Sequence, residues 1–364
     1  MSDVRVERSG VIGRITLDRP KAINALTHEM VRDITAALAD WSDDPDVGMV
    51  VVTGAGERGL CAGGDIRSIH DDAVAGGNAT EAFWRDEYRM NSVISRYPKP
   101  FLPVMDGLVM GGGVGLSAHA SHRVVTERTR IAMPEVGIGF VPDVGGTWLL
   151  AHASGELGTH AALTGAQLGA GDACAMGLAD WFVPTDRVPA LLASLEDARC
   201  TGPELEELLG HLLEELADTE PEPGLCASRW WIDRCYASDD ASEIVARLSA
   251  SGVSDAEDTA KTIGQKSPTC VAVALESLRR TRKLASLEEA LDQEFRVSLR
   301  CLAAPDMVEG IRAQVVDKDR TPRWDPPVLE KVNDARVAEY FAPLAGVAEL
   351  GLTQGSGQGT EARR

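Results

Sequence analysis

Residues 11–17 (VIGRITL) alternate apolar and polar positions, the period of two expected of a strand with one covered face. After a turn at DRPKAINAL, Met30, Ile34, Leu38 and Trp41 recur at three- and four-residue spacing, which predicts an amphipathic helix. Residues 47–54 (VGMVVVTG) form a short apolar run ending at glycine, as a strand buried on both faces would. LPVMDGLVMGGG and RVVTE predict further strands of the same set. Strand and helix signals alternate to about residue 185, which predicts α/β architecture. Beyond that point the pattern is helical. Leu205, Leu208, Leu209, Leu212, Leu213 and Leu216 trace one stripe, opened by Pro203 and closed by PEPG. Ser267 and Pro268 start another helix carrying Val271, Leu275 and Leu278. Ser286 and Glu289 form a capping box ahead of Leu287, Leu291, Phe295 and Leu299. From about residue 346 the glycine-rich, polar end reads as a disordered tail.

At 364 residues and 44% apolar, the chain is long enough to bury one large core with an appendage. Its formal charge of −20 argues against non-specific nucleic-acid binding, which depends on cations that neutralise phosphates. An anionic ligand must therefore be met by local donors. The seven cysteines are scattered and never form a CxxC pair, the usage of a reducing compartment without a disulfide frame or zinc site. No apolar run approaches the ~18 residues of a membrane span. The opening residues carry no apolar signal core, and Asp3 and Glu7 disfavour an Arg-rich transit peptide. The expectation is a soluble, cytoplasmic protein with no membrane partner.

The chemistry concentrates in AMPEVGIGFVPDVGG. Here Glu135 and Asp143 stand eight residues apart among Met133, Ile138, Phe140 and Val141, where charge is unfavourable. A carboxylate pair in apolar surroundings raises the pKa of at least one member. Two loop acids in water are the plain alternative, and the local sequence leaves both readings open. Upstream, Gly113, Gly115 and Ala118 imitate a dinucleotide fingerprint. Only about seven residues separate Gly115 from RVVTE, too few for a crossover helix, which needs ~10–12. Gly111 to Gly113 instead suit a helix N-terminus whose bare N–H groups attract negative charge. CAGGD, residues 61–65, offers a second exposed glycine turn after a strand. Two amides converging on one oxygen make an oxyanion hole. Neither G-x-S-x-G nor H-E-x-x-H occurs, and His119 with His122 lacks a third ligand. RRTRK (residues 279–283) reads as a solvated helix end, with a role in meeting a ligand phosphate as the alternative.

These motifs are similar to those of the crotonase (enoyl-CoA hydratase/isomerase) superfamily. RPKAINAL, TGAGERGLCAGGDI, KPFLPVMDGLVMGGGVGLSAHA and MPEVGIGFVPDVGGTWLL carry the likeness in the core. SPTCVAVALESL, EEALDQEFRVS, EGIRAQVVDKDRTPRWDPP and the long carboxyl-terminal region resemble the 3-hydroxyisobutyryl-CoA hydrolase branch. The resemblance implies an α/β crotonase fold: a spiral of ββα units over residues 1–200 with the active site, two roughly perpendicular sheets, and a helical region over 201–345. It implies an oxyanion hole from the amides of Gly64 and Gly112, with Glu135 and Asp143 as catalytic acids. Glu87, in DEYRMN, joins Gly112 and those two acids as substrate-binding. Ala62, Gly63, Gly64, Asp65 and Ile66 correspond to a coenzyme A-binding turn, with Lys21 near its phosphates. Gly115 occupies the position of a second hydratase glutamate, and Asp143 stands where hydratases usually carry glycine.

The implied reaction is hydrolysis of a short branched β-hydroxyacyl-CoA thioester, in valine breakdown. It calls for no metal or separate cofactor, because coenzyme A is part of the substrate. A homotrimer or hexamer is the family expectation. An enoyl-CoA hydratase or isomerase, and a binding module without chemistry, are the rival readings.

Overall fold

The computed structural model describes residues 3–353. Its chain divides into two compact units. One comprises the residues up to Asp65 with Met90–Ala132 and Gln167–Ala227; the other comprises Ile66–Arg89, Met133–Ala166 and the chain from Ser228 onward. This differs from a linear cut at residue 200, because both units gather segments from distant parts of the sequence.

The first unit holds every strand found among the described residues. β1 (Val4–Ser9), β2 (Ile12–Leu17), β3 (Met49–Gly54), β5 (Phe101–Met105), β7 (Val124–Val125) and β9 (Trp181–Phe182) form a six-stranded sheet in that order. β4 (Gly59–Cys61), β6 (Leu108–Met110) and β8 (Arg130–Ala132) form a second sheet of three. β1 and β2 pair antiparallel; the other ladders are parallel. From β3 to β8 the chain visits the sheets alternately, which is the ββ step of the expected spiral. Helix α1 (His28–Ser42) follows β2 and buries Met30, Ile34, Leu38 and Trp41, as their spacing predicts. Its Thr27 N-cap accepts a hydrogen bond from the Met30 amide at 3.2 Å.

Alternate residues of β3 and β5, namely Met49, Val51, Leu102 and Val104, turn one face toward Leu205, Leu209 and Leu213. Those leucines lie on the helix Pro203–Leu216, which has proline in its first turn. Helix Pro203–Leu216 therefore belongs to the sheet-bearing unit, although the sequence places it beyond the alternating region. All seven cysteines are free thiols, four of them buried.

The second unit is helical. Helices Pro268–Thr281 and Leu287–Ala303 carry its longest buried faces, capped by Ser267 and Ser286. Glu289 returns the capping bond to the Ala285 amide at 2.9 Å. The tail expected from residue 346 is fixed through Thr353: Leu350 is buried, Arg296 pairs with Glu349 at 2.7 Å, and Asp292 accepts the Leu352 amide at 3.0 Å. The arginine and the acid reach back to a strap that composition alone reads as free chain. Residues 354–364, the rest of that tail, lie outside the described residues. No helix among the described residues is long and apolar enough to cross a membrane.

Leu209→Ala should lower the free energy of unfolding by about 2–5 kcal/mol, because the sheet cannot collapse into the space. Glu207→Ala, on the exposed face, should change it by less than about 0.5 kcal/mol. Urea midpoints of the two variants check the assignment.

Candidate active site

The glycine turns lie in the sheet-bearing unit and meet there. Gly111 (φ 46°) caps the short helix Gly112–Ser117, so the Gly112 N–H has no intrahelical acceptor. A Cβ on Gly113 would stand 2.7 Å from the Cys61 carbonyl oxygen, and one on Gly63 (φ 100°) 3.7 Å from the Gly112 nitrogen. Only bare backbone permits the first approach, whereas at Gly63 it is the positive φ that calls for glycine. Residues 61–65 are stitched to the turn after β2: Ala62 donates to the Ile23 carbonyl at 2.9 Å, Leu26 to Gly63 at 2.8 Å, and Asp65 to Leu26 at 2.8 Å. Arg19 ties the Asp65 carboxylate at 3.0 Å. Lys21, exposed in the 3-10 turn Pro20–Ala22, thus lies on the same stitched pair of turns. Ile66 opens the following helix, Ile66–Ala75. The fingerprint-like glycines make no dinucleotide crossover, since the strands on either side of helix Gly112–Ser117 belong to different sheets.

The acids lie in the helical unit and are brought together. Glu135 starts a 3-10 turn, Glu135–Ile138, and Asp143 follows after Phe140, which stacks on Trp84 with ring centroids 5.1 Å apart. Glu87 and Tyr88 project from the helix Ala79–Ser95. The Tyr88 hydroxyl donates to Asp143 Oδ2 at 2.7 Å and lies 2.8 Å from Ser298 Oγ. Because the tyrosine proton goes to the carboxylate, Ser298 is left to donate to the tyrosine. Glu294 accepts from the Gly145 amide at 2.7 Å, the Thr147 amide at 2.9 Å and the Thr147 hydroxyl at 2.5 Å. Exposure of Glu87, Glu135, Asp143 and Glu294 is 2, 6, 4 and 1%. Glu87 Oε1 and Glu135 Oε2 have no hydrogen-bond partner among the described residues.

Burial pushes Asp143 up to about 7, against the pull of the Tyr88 hydrogen bond. It pushes Glu294 up to about 8, against three donors. Burial and then the Asp143 charge lift Glu87 and Glu135 well above the usual carboxylate range. A carboxylate with a raised pKa is a stronger base than one in water, which is the property proton transfer near neutral pH needs.

Residues 12–341 match the family model described as Enoyl-CoA hydratase/isomerase. The chain belongs to that family. Among curated proteins it is 39% identical to the mitochondrial 3-hydroxyisobutyryl-CoA hydrolase of Danio rerio, over 94% of this chain and 90% of the relative. The Homo sapiens hydrolase of the same name is 35% identical over 94% and 89%. A crystal structure of a carnitinyl-CoA dehydratase from Mycobacterium thermoresistibile superposes with a TM-score of 0.90 at 48% identity, covering 96% of this chain and 98% of that one. An enoyl-CoA hydratase from Rhodobacter sphaeroides gives 0.87 at 45%, covering 94% and 98%. The crotonase fold is thereby established for this family member. The curated names place those relatives in mitochondria, so they lend the expected cytoplasmic location no support.

Tyr88, Ser298 and Glu294 escaped the reading of the sequence. Glu294 had a signal: it falls on the apolar stripe of helix Leu287–Ala303, one turn after Leu291, where a charge has no reason to be solvated. The RRTRK run is engaged rather than solvated. Arg279 and Arg282 both hold Glu156, at 2.9 Å each, and Arg280 lies over the Phe341 ring. His122 lies against Ser121, and no group of three His, Cys, Asp or Glu placed to hold a metal occurs among the described residues.

The raised carboxyls set a pH dependence of stability. Asp143 binds its proton more tightly folded than unfolded, so its stabilising contribution is complete below its ordinary 3.8 and is lost as pH rises through about 7. The chain should therefore be less stable at pH 8 than at pH 5. Asp143→Asn should reduce that difference by on the order of 2–3 kcal/mol in urea titrations at the two pH values.

Proposed function

We propose that this chain hydrolyses the thioester of a short branched β-hydroxyacyl-CoA, with 3-hydroxyisobutyryl-CoA as substrate and 3-hydroxyisobutyrate and free coenzyme A as products. The carrying observation is Asp143: a second carboxylate, buried and oriented by Tyr88, in the same cluster as Glu135. The names of the curated relatives support the same substrate.

In this reading the amides of Gly64 and Gly112 polarise the thioester carbonyl and hold the developing oxyanion, each donor contributing ~3–4 kcal/mol to the transition state. Residues 62–66 and Lys21 serve the coenzyme A portion. Glu135, whose Oε2 lacks a partner, either attacks the carbonyl or deprotonates the attacking water. Attack expels the thiolate and leaves an anhydride that water then opens; the general-base route reaches the same products in one addition. Asp143 and Glu87 meet the β-hydroxyl or share the proton transfer. Valine breakdown is the route this substrate belongs to.

A second reading, hydration of an enoyl-CoA, is favoured by the names of the two solved structures at 48% and 45% identity. Against it stands Gly115, buried in helix Gly112–Ser117 where the family's second hydratase glutamate would be. Without that acid, addition of water across a double bond lacks half of its proton machinery.

Thiol release from 3-hydroxyisobutyryl-CoA separates the readings, with crotonyl-CoA as the comparison. The wild type should release thiol from the first, and turnover of the second without thiol would overturn the proposal. Glu135→Gln should reduce thiol release by roughly 10²–10⁴ while leaving coenzyme A affinity nearly unchanged. Undiminished turnover in that variant removes Glu135 from the mechanism.

A further inference from the structure

We infer that Glu294 is a positioning residue, whose carboxylate locks the turn following Asp143 and so fixes the direction in which the Asp143 side chain points. The inference rests on the thioesterase reading only for the reaction that Asp143 serves; the geometry is independent of it.

The turn is unusual in its backbone. Val144 has φ 54° and Gly145 φ 78°. Glycine adopts the left-handed region freely, but a β-branched residue does so only when its surroundings impose it. The Gly146 amide closes the turn on the Asp143 carbonyl at 2.6 Å, and Glu294, 149 and 147 positions away, adds three hydrogen bonds accepted from Gly145 and Thr147. Left to itself, Val144 would relax toward negative φ, rotating the peptide that carries Asp143.

Stability alone does not explain this arrangement. The helix Gly146–Ala151 is six residues long and has no side-chain cap of its own. A local Ser or Asp at the cap would serve it without placing a fourth carboxylate among Glu87, Glu135 and Asp143. The surrounding donors are moreover ordered toward Glu294. Gln293 Nε2 donates to Thr281 Oγ1 at 3.1 Å, Thr281 to Thr147 Oγ1 at 3.3 Å, and Thr147 to the carboxylate. Such a chain needs an acceptor at its end, which a Glu294 oxygen supplies.

Helix Leu287–Ala303 also reaches Asp143 by a second route. Ser298 lies four residues after Glu294, on the same helical face, and contacts the tyrosine that donates to Asp143. One face of one helix therefore holds the backbone of Asp143 through Glu294 and its side chain through Tyr88. That double hold is what a carboxylate that orients substrate or relays a proton needs, since a displacement of about 1 Å costs ~10²-fold in rate.

The test uses the full chain at pH 9, where Glu294 is ionised, and Glu294→Gln, whose amide must present a donor to one of the N–H groups now bonded. Expected are a kcat lower by roughly ten- to a hundredfold, a KM within about twofold of wild type, and faster amide exchange at Gly145 and Thr147. Adding Val144→Gly should restore part of the lost kcat, because glycine occupies the left-handed turn unaided. A merely structural role would lower thermal stability yet leave kcat per folded molecule unchanged, with no rescue, and that result overturns the inference. Should Glu294→Gln not fold, Thr147→Val deletes one of the three bonds. A kcat loss of about threefold or more at constant KM then supports the inference, and wild-type kcat overturns it. A wild type that hydrates crotonyl-CoA without releasing thiol fails the thioesterase reading alone, and the same variants are then scored on hydration. If neither substrate turns over, the exchange rates decide, with unchanged protection in Glu294→Gln the overturning result.

Discussion

Four carboxyl groups buried together, with no cation among the described residues set against them, are the constraint around which the helical unit is built. Glu87, Glu135, Asp143 and Glu294 are each raised by burial, and the charge of Asp143 raises the other three further. They cannot all be ionised at once, so the fold must supply either protons or donors. It supplies donors unevenly. Tyr88 serves Asp143, while Gly145 and Thr147 serve Glu294. The inward oxygens of Glu87 and Glu135 receive none among the described residues. Buried polar atoms in native proteins are almost always satisfied, and in the proposed reading the substrate's hydroxyl, or the attacking water, is the donor that would reach such an oxygen.

The carboxyl-terminal region is part of that site. A Cβ on Gly139 (φ 74°) would stand 2.1 Å from the Asp306 carbonyl oxygen, and one on Gly310 2.4 Å from the Ile138 carbonyl carbon. The turn that begins with Glu135 thus lies flush against the helix Pro305–Ile311. Ser267 adds an amide bond to the Val136 carbonyl at 3.0 Å and a hydroxyl bond to Asp306 at 2.5 Å. A catalytic core with a helical appendage was the linear expectation. In space, residues 267–311 close the walls on which the acids are mounted.

What was legible in the chain follows from the range of each signal. The α1 stripe and the β3 run are local periodicities, and both are observed where their residues predict them. The alternation between two sheets was invisible to periodicity, because β4, β6 and β8 are three residues each, too short to display a period. LPVMDGLVM reads as one apolar strand but is two, split where Gly107 takes φ 72°. Resemblance, and not pattern, supplied the spiral. At the site, Glu135 and Asp143 stood out as charges in an apolar run. Glu87 entered only through resemblance. Tyr88 and Ser298 gave no signal, since a tyrosine or serine on a helix is unremarkable until its partner, 55 or 210 residues away, is known.

Two acids of nearly equal intrinsic strength are made unlike by their attachments, and the difference assigns their work. Asp143 has a hydroxyl on one oxygen and a locked turn behind its backbone, so its lone pairs are directed and its side chain is held. Such a group suits anchoring a hydroxyl or relaying a proton along a fixed line. Glu135 sits on a one-turn 3-10 segment and keeps a buried oxygen unpaired, with its basicity raised by burial and by Asp143. A carboxylate oxygen that accepts one donor keeps a second lone pair, but the Tyr88 bond makes the Asp143 oxygen less basic than an unbonded one. In the proposed reading this asymmetry gives the bond-making step to Glu135 and orientation to Asp143, through a difference in hydrogen-bond satisfaction that the two residue types alone do not carry.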